Sequence, residues 1–108
     1  MEKDIEQIDF TKGDGIIPVI VQDAATLKVL TLAYANRDAL ERAKQTGNSW
    51  FWSRSRKKLW MKGEESGNTQ KIKEILVDCD SDALVYLVDP SGPACHTGKG
   101  TCFHNILR

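Results

Sequence analysis

Short runs of β-branched and other apolar residues, separated by turn-forming residues, constrain the fold of this chain more than any other feature. Residues 16–22 and 29–34 each have the composition of a strand, and the short segment between them predicts a hairpin. Residues 72–79 alternate as a long strand does, and residues 83–88 are its expected antiparallel partner. Pro18 lies near the start of the first run, where a missing backbone donor is tolerated. The chain is therefore predicted to be mostly β-sheet.

Helix signals are strong in one segment only. Asn36 is a natural N-cap, alanine and leucine side chains then supply a short apolar face, and Gly47 is a typical helix end. These signals predict a short helix over residues 36–46. Residues 94–108 are too rich in glycine and cysteine to be regular. The predicted fold class is α+β, a mostly antiparallel or mixed β-sheet with one short helix.

Length and charge limit the classes of protein that fit this sequence. At 108 residues, the chain is expected to form a single domain over residues 1–108. Its 15 basic and 15 acidic residues cancel, which argues against a broad electrostatic grip on nucleic acid or on an anionic membrane. The N-terminus has no signal-peptide pattern, and no apolar run is long enough to cross a bilayer. We therefore expect a cytoplasmic protein whose cysteines stay reduced.

Three cysteines, Cys79, Cys95 and Cys102, have 15 and then 6 residues between them. Structural zinc sites usually have four ligands in closely spaced pairs, and this spacing contains no such pair. Three thiolates would leave one tetrahedral position open, which is what a catalytic zinc requires. Spacing alone fits three buried or idle cysteines at least as well. The surrounding sequence favours a catalytic metal site over idle cysteines, because Cys95 and Cys102 flank a flexible loop that contains His96.

Asp78, Asp80 and Asp82 alternate with Cys79 at the end of the predicted long strand. If strand pairing continued through them, the three carboxylates would project from one face and the thiol from the other. Carboxylates gathered on one side repel one another unless a cation lies among them, and hard oxygen ligands favour Mg²⁺. The alternative is a solvated acidic strand end followed by a turn.

His96 is the candidate for proton transfer, because imidazole titrates close to neutral pH. The alternatives are a zinc-ligand role and a loop histidine without a role. His104 has weaker claims, and the sequence assigns it no role.

An aromatic and basic segment follows the predicted helix. A strand is expected to begin at Trp50, and residues 58–62 are expected to continue it or to re-form it. Its alternate residues would lie on one side of an extended chain: Trp50, Trp52, Arg54, Arg56, Lys58, Trp60 and Lys62. Arginine and lysine bind phosphate, and tryptophan stacks on a nucleobase, so this side suits a phosphorylated purine or single-stranded RNA. The alternative places aromatic residues in the core and charges at a sheet edge. We prefer the core for Trp50 and Phe51, and ligand binding for Arg54 and Arg56.

Taken together, the motifs resemble those of the phosphoribosyl-AMP cyclohydrolases, enzymes of histidine biosynthesis. The resemblance runs from about Asp14 to Phe103, with the motifs in family order. These are WSRSR at 52–56, LW and KGE within 59–64, SG at 66–67 with Gln70, DCD at 78–80 with Asp82, GPACHTG at 92–98, and CF at 102–103. The succession DCDxD, CHTG and CF is highly specific. Thr101 is a slight departure, because serine is common there.

The resemblance implies a hydrolase that cleaves the N1–C6 bond of the adenine ring of 1-(5-phosphoribosyl)-AMP, the third step of histidine biosynthesis. It implies an intertwined homodimer with a zinc site shared between subunits. Some members of the family are fused to a pyrophosphohydrolase domain, and because this sequence ends six residues after Cys102 we expect no such domain here. The implied zinc ligands are Cys79, Cys95 and Cys102, and the implied magnesium ligands are Asp78, Asp80 and Asp82. Zinc would activate water, and His96 would carry a proton to the departing nitrogen. The implied substrate-binding residues are Trp52, Ser53, Arg54, Ser55, Arg56, Trp60, Lys62, Glu64, Ser66, Gly67 and Gln70.

Two other functions compete with this one. A zinc-stabilised module would bind single-stranded RNA through residues 52–62, although zero net charge argues against it and the aspartates would have no role. A redox protein would use Cys95 and Cys102 as its reactive thiols. A salt-dependent RNA shift would support the first. Thiols that react without a chelator would support the second, because zinc-bound cysteines stay masked.

Overall fold

The computed structural model describes residues 2–108. Over this range the chain forms a short 3-10 turn (Ile5–Gln7), one α-helix and six strands. In chain order these are β1 (Ile17–Asp23), β2 (Val29–Ala35), α1 (Arg37–Thr46), β3 (Trp50–Ser53), β4 (Lys58–Met61), β5 (Gln70–Val77) and β6 (Leu84–Pro90). Four strands form a sheet in the order β2-β1-β6-β5, and β3 pairs with β4 in a separate sheet. The predicted α+β class is confirmed.

The predicted hairpin of β1 and β2 is present, and β1 is a central strand of the larger sheet. It is antiparallel to β2 and parallel to β6, so the sheet is mixed. Ile17, Val19 and Val21 are buried, because alternate residues of β1 face the core. Pro18 pairs with Tyr34 of β2, whereas pairing with β6 begins only at Val19. The proline is therefore tolerated because it lies outside the pairing with β6.

Helix α1 begins and ends where its caps predict. The side-chain oxygen of Asn36 accepts a hydrogen bond from the backbone N–H of Ala39 at 2.9 Å. Gly47 has a φ of 75°, the left-handed conformation that glycine adopts easily, and its N–H donates to the carbonyl of Ala43. The buried side chains of Ala39, Leu40 and Ala43 pack the helix against β2, β3 and β4.

An aromatic cluster joins the small sheet to the larger one. Phe51 of β3 is buried, and its ring centroid lies 4.9 Å from that of Trp60 and 5.7 Å from that of Tyr86. Tyr86 of β6 is also buried, and its hydroxyl donates to the backbone carbonyl of Trp50 at 3.3 Å. The hairpin of β3 and β4 is therefore anchored to the larger sheet through one of its faces.

Two predictions about extended structure are wrong. The aromatic and basic segment forms β3 and re-forms as β4, one of the two expected outcomes, because residues 54–57 turn back and pair the two strands; the expectation that fails is one continuous strand. Phe51 pairs with Trp60, and Trp52 pairs with Leu59, so Trp52 and Trp60 lie on opposite faces of the hairpin. The expected single-sided row of Trp50, Trp52, Arg54, Arg56, Lys58, Trp60 and Lys62 therefore does not exist. The predicted long strand also ends at Val77, before the aspartates.

The remaining predictions about regular structure hold. β5 and β6 are antiparallel partners, with an irregularity between Ile72 and Glu74. Residues 94–108 contain neither helix nor strand. Across residues 2–108, each helix falls short of the length and apolar character required to cross a membrane.

Candidate active site

The three aspartates lie close together in a tight turn between β5 and β6. Asp78 Oδ1 accepts hydrogen bonds from the backbone N–H groups of Asp82 and Ala83, at 2.9 and 3.2 Å. Ser81 adopts a φ of 63°, which bends the chain back on itself. One carboxylate oxygen from each of Asp78, Asp80 and Asp82 lies within 4.8 Å of the others. The sequence predicts that the three carboxylates lie together, and they do. They come together in a turn and not, as expected, on one face of a continuing strand.

A lysine side chain lies beside two of these carboxylates. Lys12 Nζ is 3.3 Å from Asp80 Oδ2 and 3.1 Å from Asp82 Oδ2. The pKa of Asp80 is lowered to about 2, mainly by hydrogen bonding to Asp82 and to a smaller extent by hydrogen bonding to Lys12. The pKa of Asp82 is raised, mainly by hydrogen bonding to Asp80. Lys3 Nζ donates to the backbone carbonyls of residues 78 and 79 at 3.3 Å. The acidic turn is therefore partly neutralised by the chain itself.

Cys95 lies in a loop whose polar groups stabilise its thiolate. The residue is buried, Thr97 Oγ1 donates to its sulfur at 3.1 Å, and His104 Nε2 lies 3.9 Å from the sulfur. Hydrogen bonds from the side chain and backbone of Thr97 are the main reason that the pKa of Cys95 falls to about 6. His104 and Cys102 lower it further. A thiolate is the form of cysteine that binds a soft metal.

The backbone places Cys102 near Cys95 and leaves Cys79 elsewhere. The N–H of Cys102 donates to the carbonyl of Leu30 at 2.7 Å, and Thr101 Oγ1 donates to β2 as well, which fastens the loop to that strand. Cys79 is exposed in the aspartate turn. Among residues 2–108, the aspartates are the only group of three or more histidine, cysteine or acidic side chains close enough to share a metal ion. The three cysteines therefore do not converge within one chain.

The β3–β4 hairpin borders a cavity of about 540 Å³ beside the cysteine loop. His96, which is exposed, lines this cavity together with the cations of Arg56, Lys58 and Lys62. Trp60 contributes an aromatic surface. The predicted site residues that meet here are Ser53, Ser55, Arg56, Trp60, Lys62, Glu64, Ser66 and His96. The cavity therefore combines cations, an aromatic ring and a group able to transfer protons.

Other predicted substrate-binding residues lie outside this cavity. Trp52 and Arg54 line an adjoining cavity of about 580 Å³. Gly67 lies in the loop before β5, where its φ of 81° suits a turn. Gln70 is 1% exposed, and its side-chain amide has no hydrogen-bond partner within the described range. Gln70 therefore lies in the core and not in the wall of either cavity.

Three side chains near the site were not predicted from the sequence. Tyr34 lies under Arg54, with the guanidinium carbon 3.9 Å from the centre of the tyrosine ring. Lys12 and His104 contact predicted metal ligands. The available signal for His104 is its position two residues after Cys102. Lys12 has no such signal, because the two residues that it contacts, Asp80 and Asp82, lie 68 and 70 positions further along the chain.

Comparison with known families identifies the chain. The family model described as phosphoribosyl-AMP cyclohydrolase matches residues 31–104, more than half of the sequence. This chain belongs to the phosphoribosyl-AMP cyclohydrolase family. All the predicted site residues lie inside the matched range, whereas Lys3 and Lys12 lie before it.

Curated members of the phosphoribosyl-AMP cyclohydrolase family align over the whole chain. The phosphoribosyl-AMP cyclohydrolase of Nitrosopumilus maritimus is 72% identical over 108 residues, which are 100% of both chains. That of Cenarchaeum symbiosum is 70% identical over 107 residues, 99% of each chain. The histidine biosynthesis bifunctional protein HisIE of Thermus thermophilus is 63% identical over 86% of this chain and 44% of its own length. The predicted resemblance is confirmed, and so is the prediction of an enzyme over the RNA-binding and redox alternatives.

Proposed function

We propose that this chain hydrolyses the N1–C6 bond of the adenine ring of phosphoribosyl-AMP, giving the formimino carboxamide ribotide. The observation that carries this proposal is the cavity in which His96 meets Arg56, Lys62 and Trp60. A purine with phosphate groups requires cations, an aromatic surface and a proton-transfer group. Membership of the cyclohydrolase family supports this class of reaction.

The binding roles follow from the cavity wall. Arg56 and Lys62 present cations that suit phosphate or ribose groups. The backbone N–H of Arg56 donates to Ser53 Oγ at 3.2 Å, which holds the turn that carries the guanidinium. Trp60 packs on the buried ring of Phe51, so its indole is fixed in place before a base stacks on it. These residues bind and orient the substrate.

We assign proton transfer to His96. Hydrolysis joins the oxygen of water to C6, breaks the C6–N1 bond and delivers one proton of water to N1. His96 is exposed in the cavity, where its imidazole is able to accept a proton and pass it to the departing nitrogen. Its neighbours Cys95 and Thr97 are linked by a hydrogen bond, which restrains the loop on both sides of the histidine.

A zinc site fits the cysteines if a second copy of the chain contributes to it. The low pKa of Cys95 and the nearby thiol of Cys102 supply two soft donors. Cys79 is exposed, so it is accessible to another chain. Zinc held by these three thiolates would lower the pKa of a bound water molecule, which would make that water a better nucleophile.

An intertwined homodimer would bring these cysteines together. Strand β2 is at the edge of the sheet and holds the loop of Cys102. Exposed apolar side chains lie along this strand and in the C-terminal segment: Val29, Leu32, Phe103, Ile106 and Leu107. Apolar surface next to an incomplete metal site suits contact between two copies.

The aspartate turn suits a hard cation. Asp78, Asp80 and Asp82 present oxygen donors close together, as Mg²⁺ requires. Mg²⁺ held there would help to neutralise a substrate phosphate. We therefore include magnesium with zinc in the proposed enzyme.

The test combines metal analysis with turnover of phosphoribosyl-AMP by the purified chain. Cys95→Ser should abolish turnover and lower the zinc content, whereas His96→Ala should abolish turnover and retain zinc. Lys99→Ala, in the same loop, is the matched control and should leave both unchanged. Full activity of His96→Ala would contradict the proton-transfer role. A zinc-loaded dimer that fails to turn over phosphoribosyl-AMP would overturn the proposed function.

A further inference from the structure

Two cavities of similar size meet at the β3–β4 hairpin, and each contains a different arginine. The cavity of about 540 Å³ contains Arg56, and the adjoining cavity of about 580 Å³ contains Arg54. Ser53, Ser55 and Trp60 line both. The two guanidinium groups are two residues apart in the turn, yet neither lines the cavity of the other. The hairpin therefore presents two cationic depressions with an aromatic ring at their junction.

Neither arginine is neutralised by an acidic side chain. The ion pairs formed by residues 2–108 involve Lys12 and Arg37 and leave both turn arginines unpaired. Both residues are exposed, so their N–H groups remain available to a ligand. Unpaired, exposed guanidinium groups in two cavities suit two separate anions.

Arg54 is held by a specific contact. Its guanidinium carbon lies 3.9 Å from the ring centre of Tyr34, a half-buried residue of β2. A guanidinium stacked on a ring keeps its N–H groups free at the edge, where they can bind a phosphate. Tyr34 lies in β2, which pairs with β1, so it offers a platform in the sheet outside the turn that carries Arg54. The contact gives Tyr34 a positioning role.

We propose that the two phosphoribosyl arms of the substrate bind in these two cavities, with Arg54 holding one phosphate and Arg56 the other. Tyr34 positions Arg54, and Trp60 lies between the arms where the purine stacks. This inference rests on the proposed function, because phosphoribosyl-AMP carries one phosphate on each of its two ribose groups. The two guanidinium groups line different parts of this surface, which favours one phosphate for each arginine over a single phosphate shared by both.

The test compares phosphoribosyl-AMP, which has two phosphates, with AMP, which has one. Arg54→Ala and Arg56→Ala should each raise the KM for phosphoribosyl-AMP by about 10- to 100-fold with little change in kcat. Only one of the two substitutions should raise the inhibition constant of AMP. Arg42→Ala is the matched control, because Arg42 stacks on Trp50 at 5.1 Å and lines neither cavity.

An equal rise of the AMP inhibition constant in both variants, or a rise in neither, would overturn the assignment to separate cavities. In that case the unaltered enzyme would still turn over phosphoribosyl-AMP, so the proposed function would stand. Absence of turnover by the unaltered, zinc-loaded enzyme is a different result and would overturn the proposed function.

Tyr34 is tested through its dependence on Arg54. Tyr34→Phe keeps the ring and should preserve the KM, whereas Tyr34→Leu should raise it with little change in kcat. In the double variant with Arg54→Ala, Tyr34→Leu should add almost nothing, because both changes remove the same interaction. Additive effects on KM, or a Tyr34→Phe variant as impaired as Tyr34→Leu, would contradict the positioning role.

Discussion

The ammonium group of Lys12 lies 3.1 Å from the carboxylate of Asp82, across 70 positions of sequence. It also lies 3.3 Å from Asp80, so Lys12 contacts two of the three proposed magnesium ligands. Two cations at the same carboxylate oxygens repel each other. A divalent ion bound at this turn would therefore compete with Lys12.

The first prediction concerns this competition. Lys12→Met should bind Mn²⁺, a spectroscopic substitute for Mg²⁺, about 2- to 10-fold more tightly than the unaltered chain at low ionic strength. The contacts are exposed, so added salt should reduce the difference. Titration followed by electron paramagnetic resonance measures the affinity. Lys28→Met is the control, because Lys28 is exposed in the turn between β1 and β2 and takes part in none of the ion pairs found among residues 2–108. Equal or weaker binding by Lys12→Met would contradict competition.

The second prediction concerns pH. The pKa of Cys95 is lowered to about 6, chiefly by Thr97, so the thiolate is present above that pH and is lost as the pH falls through it. Thr97→Val removes the hydroxyl donor at 3.1 Å, which should move the thiolate fraction to higher pH. The measurement is the pH dependence of Cys95 alkylation in the reduced, metal-free chain, followed by mass spectrometry. An unchanged midpoint in Thr97→Val would show that this hydroxyl does not control the thiol.

The third prediction tests whether the zinc site is shared between subunits. Cys79→Ser and Cys95→Ser should each lose zinc and turnover as homodimers. When the two variants are mixed and allowed to exchange subunits, each heterodimer regains one intact site, so about a quarter of the original zinc sites should return. Zinc analysis and turnover of phosphoribosyl-AMP measure this recovery. Recovery should fail if all three cysteines act within one chain, and it should also fail for Cys95→Ser mixed with Cys102→Ser.

The fourth prediction concerns helix α1, which precedes the β3–β4 hairpin. Asn36→Ala removes the side-chain acceptor that caps Ala39 N–H at 2.9 Å, which should lower the free energy of unfolding by about 1 kcal/mol. Chemical denaturation of the purified protein at fixed concentration measures the change. Gln45→Ala, at an exposed position of the same helix, should change it by less than about 0.5 kcal/mol. Equal free energies of unfolding for the two variants would show that the Asn36 cap does not stabilise this fold.

Much of the fold was predictable because its signals act over a few residues. The Asn36 cap and Gly47 fix the ends of the helix through their own backbone and side-chain bonds. Alternating burial in β1 and the pairing of β5 with β6 follow from strand periodicity. The same reasoning wrongly placed Trp52 and Trp60 on one face. Alternate residues share a face only within one continuous strand, and residues 54–57 form a turn between these two tryptophans.

The sequence by itself determined the strands, the helix ends, the family and the residue types of the site, because these depend on local backbone preferences and on motifs that stay in order along the chain. The tertiary structure decided which side chains meet. It placed Tyr34 under Arg54, Lys12 against Asp82, and Cys79 apart from Cys95. These contacts join segments that are distant in the sequence, so they depend on how the sheet and its turns pack, which no local pattern encodes.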